Sequence, residues 1–287
     1  MRRNMFYLIK KTKGISSFSC IKTFAKKMNI KKIGHSGTLD PLASGLLLCA
    51  SEDDTKLIPY ISHKSKTYIS KIIFGKHTST YDSEGEITNT SEVKIKEEDL
   101  EKINKWFLNQ KSQIPPIYSA KKINGVRSYN LARNGQKVEL NTQKIEVFNS
   151  KILNFDYQKQ ELTIELEVSF GTYIRSLAND VGIAFNTYSY MSELERIKIG
   201  KLALSNTKNE YEQIEINNLF DLDFYNATDS EIESLKKGQV INANKKLKDN
   251  KYLLINKTKD QNLILGILEL KNNNLKVVKL FGNRLEE

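Results

Sequence analysis

A chain of 287 residues with 39% hydrophobic and 28% charged side chains suits one large domain with a small appendage and is too apolar to be a disordered polymer. The formal net charge is +11, and the excess lies early: residues 1–80 hold 15 Lys and Arg against 4 Asp and Glu, leaving 30 of each in residues 81–287. So local a basic field favours a polyanionic partner, nucleic acid first, while two cysteines and three histidines without ligand spacing argue against a disulfide framework or a zinc site.

Met5–Ile9 reads as an opening strand, Gly14 as a break, and Ser16 or Ser17 as the N-cap of a helix that puts Phe18, Ile21, Phe24, Ala25 and Met28 on one face and Lys22, Lys26 and Lys27 outward. The unusual residue choices then gather in Lys31–Lys56. Asp40 precedes Pro41, which forces it out of the helical region and onto an irregular loop. Glycines at 34, 37 and 45 flank it, and Leu46–Ala50 reads as a buried strand. Asp-Pro is ordinary turn vocabulary, yet a carboxylate on a loop pinned to a core strand is also a common way to hold chemistry rigidly. Glu52–Asp54 reads as a solvated turn.

Lys66-Thr67-Tyr68 enters a strand ending near Phe74, and Gly75–Gly85 forms a loop. Glu97–Gln110 is a predicted amphipathic helix with Leu100, Ile103 and Phe107 on one side. A segment at about 112–145 carries Lys121, Lys122, Arg127, Arg133 and Lys137, which suit phosphate contacts. Leu162, Ile164, Leu166, Val168 and Phe170 alternate with polar residues as in a half-buried strand, delivering Gly171-Thr172-Tyr173-Ile174-Arg175 to a helix continuing through Leu177, Val181 and Ala184. From about Tyr225 a helix, Asp229–Lys237, precedes short strands at Tyr252–Ile255, Leu263–Leu268 and Leu275–Leu280, with a hairpin turn at Lys271–Asn274.

Gly34-His35-Ser36-Gly37-Thr38-Leu39-Asp40-Pro41-Leu42-Ala43-Ser44-Gly45, with Thr55-Lys56 further on, resembles the signature of the tRNA pseudouridine synthase B family. The resemblance implies that Asp40 is the catalytic carboxylate and that His35 contacts the substrate nucleotide. It further implies that Tyr68, of a Lys-x-Tyr element, stacks on the target base and acts on a proton. Arg175 would pair with Asp40, Tyr173 would touch the nucleotide, and Leu194 would pack near the base. Pro115 onward resembles the family's insertion that closes over RNA, to which Lys121, Lys122 and Arg133 belong. The implied fold is α+β: a mixed, mainly antiparallel sheet flanked by helices over residues 1–224, with the RNA-clasping insertion at about 112–145, and a small β-rich, PUA-like RNA-binding domain over 225–287. Packing support is the plainer reading of that tail. The implied substrate is the T-arm stem-loop of tRNA, whose T-loop uridine becomes pseudouridine. No cofactor, metal, membrane or obligate protein partner is called for, and the expectation is a cytoplasmic monomer. Three flanks depart from the family pattern: Lys10–Gly14 lacks the aspartate and proline of Asp-Lys-Pro-x-Gly, Ser79 stands where an aspartate is usual, and Glu195 and Ile197 alter a Leu-Arg-Arg segment.

Two rival classes remain at this level. Gly34-His35-Ser36-Gly37 is also a GxxG loop of the kind that clamps single strands in KH domains, though those domains are much smaller. A glycosidase-like hydrolase would need a second carboxylate beside Asp40.

Overall fold

The computed structural model describes residues 5–62, 65–118, 122–123, 126–127, 140–203, 209–215, 219–243, 247–256 and 260–285. At its centre is a sheet of nine described strands: β1 (Phe6–Lys11), β2 (Ile33–His35), β3 (Ser44–Ser51), β4 (Ser65–Phe74), β5 (Val147–Asp156), β6 (Glu161–Ser169), β7 (Ser189–Ile199), β8 (Leu202–Ala203) and β9 (Tyr211–Ile214). The order is β5-β6-β4-β7-β3-β1-β9, with β2 on β3 and β8 on β7. β7 runs parallel to β3 and antiparallel to β4, so the sheet is mixed and mainly antiparallel, as expected.

Strand composition follows burial. β1 and β3 send Tyr7, Ile9, Leu47 and Cys49 to one face and Phe6, Leu8, Leu46 and Leu48 to the other, and both faces are packed; a strand covered on both sides reads as a continuous apolar run. β6 is apolar only at Leu162, Ile164, Leu166 and Val168, because its other face is half exposed. Three helices cover the first face: α1 (Ser17–Lys27), α2 (Leu100–Leu108) and α3 (Ile174–Ala184). Ser16 caps α1, its hydroxyl accepting from Ser19 N–H at 3.0 Å.

Three expected core positions lie outside the core. Phe18 is 64% exposed, because the buried stripe of α1 runs through Ser17, Cys20, Ile21 and Phe24; its ring takes the Lys22 ammonium 5.3 Å from the centroid. Phe170 is 59% exposed, since β6 ends at Ser169 and the alternation stops with it. Ala184, in the last turn of α3, is exposed too.

A second sheet forms the tail: β10 (Asp223–Asn226), β11 (Ile241–Asn242), β12 (Asn250–Asn256), β13 (Asp260–Lys271) and β14 (Asn274–Leu280), in the order β10-β12-β13-β14-β11. Between β10 and β11 runs α4 (Asp229–Lys236), opened by a Thr228–Glu231 capping box. The β13–β14 turn uses Asn272 and Asn273 at φ 50° and 64°, the left-handed geometry that asparagine tolerates in tight hairpins.

The tail is built onto the large sheet. Leu253, Ile255, Ile264, Ile267 and Phe281 share one core with Phe6, Leu8, Leu46, Leu48 and Leu57. Within this contact Asp54, fully buried, takes Arg284 Nη2 at 2.6 Å. The expectation of a solvated turn at Glu52–Asp54 is therefore corrected: Asp54 lies in a short helix folded under the tail. Asp54 Oδ2 and Arg284 Nε find no partner among the described residues, so the pair keeps part of its desolvation cost. Arg284→Met, which strands the Asp54 charge, is expected to cost about 3–5 kcal/mol by thermal or urea unfolding, and adding Asp54→Leu to recover most of it. A single variant as stable as wild type would contradict the pairing.

Candidate active site

Asp40 sits on the loop between β2 and β3, where the backbone on both sides of it is tied down. Ser17 Oγ donates to Leu39 O and accepts from Leu39 N–H, both at 2.8 Å. Gly14 N–H donates to Pro41 O at 2.8 Å. Lys11, 1% exposed, donates its ammonium to the carbonyls of Thr12, Ile15 and Pro41 at 3.0, 2.7 and 3.2 Å. That lysine lies in the flank that departs from the family pattern, so the flank still anchors the loop without the usual aspartate and proline.

Arg175 reaches Asp40 from the first turn of α3. Its Nε lies 2.9 Å from Asp40 Oδ2 and its Nη2 3.1 Å from Oδ1, a two-point fork that fixes both distance and plane. Nη1 meets Asp82 Oδ2 at 3.3 Å and Thr80 O at 3.2 Å, and Nη2 also donates to Tyr118 O at 3.0 Å. The Arg175 side chain is 6% exposed, whereas that of Asp40 is 32% exposed and open to a ligand. Burial raises the Asp40 carboxyl above the ordinary carboxylate range, with Arg175 the main opposing pull.

Asp82 is a site residue that sequence reasoning missed. It is 2% exposed, and its Oδ1 accepts from Thr80 Oγ1 at 2.5 Å and Glu84 N–H at 3.0 Å. Its signal was present: it lies in Gly75–Gly85, three residues past the conspicuous Ser79. This second carboxylate near Asp40 is enclosed by its own loop and by Arg175, so it holds the arginine and is not free for the paired-acid work of a hydrolase.

The remaining expected residues fall into two groups. Tyr68 projects from β4 opposite Leu166 on one side and Arg196 on the other, 6% exposed. Leu194, 7% exposed, shares a core with Tyr68 and Leu39, the neighbour of Asp40. His35 accepts Gly37 N–H on Nδ1 at 3.2 Å, and burial, then the charge of Arg196, lowers its pKa, which keeps it neutral near pH 7. Tyr173 is half-buried, its backbone clamped by Gln113 through bonds of 2.6 and 3.1 Å. Of the basic insertion, Lys122 opens a strand, Lys122–Ile123, that pairs with Val126–Arg127; Lys121, Arg133 and Lys137 lie outside the described residues. Arg196, also missed, is 1% exposed and donates to Leu46 O at 2.7 Å and Gly37 O at 3.0 Å, holding the His35 loop against β3. Among the described residues no group of His, Cys, Asp or Glu could hold a metal ion, and no helix is long and apolar enough to cross a membrane.

The mixed sheet and its flanking helices agree with the fold of known proteins. The chain belongs to the TruB family of pseudouridylate synthases: the model of that family's N-terminal domain matches residues 25–174. A tRNA pseudouridine synthase B of Mycoplasma mobile is 44% identical over 99% of this chain and 96% of its own length. One of Mycoplasmopsis pulmonis is 43% identical over 99% and 97%. A solved H/ACA ribonucleoprotein bound to a substrate RNA containing 2′-deoxyuridine holds a chain of the same fold, with TM-score 0.63, 17% identity, and 96% of this chain and 84% of that one covered.

If Arg175 grips Asp40 in solution, Arg175→Leu must move the Asp40 titration, followed by carboxylate carbon NMR, to higher pH than in the wild type, because the chief pull on its anion is gone. An unchanged titration would show that the fork does not form.

Proposed function

We propose that this chain isomerises the T-loop uridine of tRNA to pseudouridine. The observation that carries the reading is the Asp40–Arg175 fork: a part-exposed carboxylate, fixed in direction, on the loop whose residues match the family signature. The reaction breaks the bond from ribose C1′ to uracil N1, rotates the base and joins C1′ to C5; the proton lost from C5 is balanced by one gained at N1. No redox partner or energy source enters. Asp40, ionised, attacks the sugar or the base, and Arg175 keeps it charged and aimed. The target base must leave its stack. The neutral imidazole of His35 fills the vacated space, Tyr68 stacks on the uracil and takes part in moving the C5 proton, Tyr173 contacts the nucleotide, and Leu194 packs near the base.

The stem binds elsewhere. Lys121, Lys122 and Arg133 of the insertion hold phosphates, and the PUA-like tail extends the RNA surface while completing the core of the catalytic sheet. Every proposed catalytic group comes from this one chain, which supports a monomer acting alone, and a tRNA substrate supports action in the cytoplasm.

Purified protein given unmodified tRNA labelled with tritium at uridine C5 is expected to release the label from one site per molecule, in the T loop. Release from several loops, or from none with folded protein and intact tRNA, would reject the assignment.

A further inference from the structure

Lys66 opens the Lys-Thr-Tyr run, and the chemistry above leaves it unused. It lies two residues before Tyr68 on β4 and so on the same face of the sheet, with only 7% of the residue exposed. Arg196, 1% exposed, stands opposite Tyr68 on β7. Both cations converge beneath Gly37: a Cβ built on that glycine would lie 2.4 Å from Lys66 Nζ and 3.7 Å from Arg196 Nη1. Nε and Nη2 of Arg196 are satisfied by the Leu46 and Gly37 carbonyls, but the buried Nη1 has no hydrogen-bond partner among the described residues. The ion pairs of the site run through Arg175, and the described contact of the Lys66 ammonium is the Phe170 ring, 4.4 Å to its centroid. His35, coupled to both cations, is itself held neutral by burial and by these two charges; Lys11 and Cys49 feel the Arg196 charge from β1 and β3, and burial lowers the first and raises the second.

Two buried positive groups with an unfilled donor and no ion-pair partner among the described residues cost a fold stability, and such an arrangement persists where a ligand supplies the anion. The ligand meets both cations three residues from Asp40 along the same loop. A phosphodiester fits: it carries one charge and two free oxygens, one for Lys66 Nζ and one for Arg196 Nη1. Phe170, exposed above the ammonium, screens the contact from water. We propose that Lys66 and Arg196 form a buried site for the RNA backbone phosphate beside the uridine held at Asp40. The inference rests on the reading of the site as one that acts on RNA.

Titration gives the site a signature. Burial, then the Arg196 charge, lowers Lys66 from 10.5 to about 7 in the free protein, and a phosphate bound there must raise it again, so RNA binding near neutral pH takes up a proton. The unfolded chain keeps the Lys66 proton where the folded chain has released it, so this penalty on folding is full below about pH 7 and fades toward 10.5.

The test uses Lys66→Met, similar in length and uncharged, with unmodified tRNA transcripts in which single phosphates are replaced by neutral methylphosphonates. At neutral pH the variant is expected to melt no lower than wild type yet bind unmodified tRNA about tenfold or more weakly, the loss of one charge-assisted hydrogen bond. One methylphosphonate beside the target uridine should weaken wild type by a similar factor and Lys66→Met no further. Should the variant fail to fold, calorimetry of wild type in buffers of different ionisation heat still decides, since proton uptake on binding is required. Equal affinity of the two proteins, a full penalty at every linkage in Lys66→Met, or no proton uptake by wild type would overturn the phosphate site. Wild type that releases no tritium would instead remove the reading beneath it.

Discussion

The arrangement of the site depends on one guanidinium. Arg175 binds Asp40 from the β2–β3 loop, Asp82 and Thr80 from the β4–β5 connection, and the Tyr118 carbonyl at the root of the insertion. A lysine carries the same charge but cannot hold two carboxylates and two carbonyls in one plane. Because the head group is buried, each contact is strong and each loss would leave a polar group stranded. The placement of Arg175 in the first turn of α3 explains why strand, turn and helix meet there: β6 fixes the approach, Gly171 at φ +86° turns the chain, and the helix start aims the side chain.

The rest of the scaffold keeps the Asp40 loop from yielding to that pull. Lys11 and Gly14 fasten Pro41, Ser17 fastens Leu39, and Arg196 fastens Gly37. Catalytic groups held by packing and second contacts need little reorganisation when the reaction begins. The cost is visible in buried charge. Lys11 gives its proton donors to carbonyls, while Lys66 and Arg196 lie side by side without an ion-pair partner among the described residues. Stability has been given up near the substrate, as is common where a site must complete itself with a ligand. On the opposite face the tail seals Phe6, Leu8, Leu46 and Leu48, so the small second sheet supports the catalytic one whatever RNA it touches.

Strands and the Asp40 loop were legible because local chemistry dictates them. Asp before Pro is pushed out of the helical region, β6 alternates, β1 and β3 are apolar on both faces, and Asn272-Asn273 suits a tight hairpin. Residues whose partners are distant in sequence were not. Asp54 looks like a solvated acid until Arg284, 230 positions away, is folded against it. Asp82 has its meaning only through Arg175, and Arg196 only through Gly37. Phe18 and Phe170 misled for the converse reason: apolar residues at the edge of a periodic stripe are assigned to the core by pattern, whereas helix phase and strand length leave them in solvent. Pairings such as Asp40 with Arg175 were reachable because a long motif supplied them.

In the proposed reaction the Asp40 charge, and not its shape, carries out the isomerisation. Asp40→Asn keeps the size of the side chain and an oxygen for Arg175 while removing the anion, and a mere turn residue would tolerate the change. Purified Asp40→Asn should fold, bind unmodified tRNA with near wild-type affinity and form no detectable pseudouridine, the loss lying wholly in turnover. Substantial product from that variant, after deamidation back to aspartate is excluded by mass spectrometry, would show that the Asp40 charge is not required.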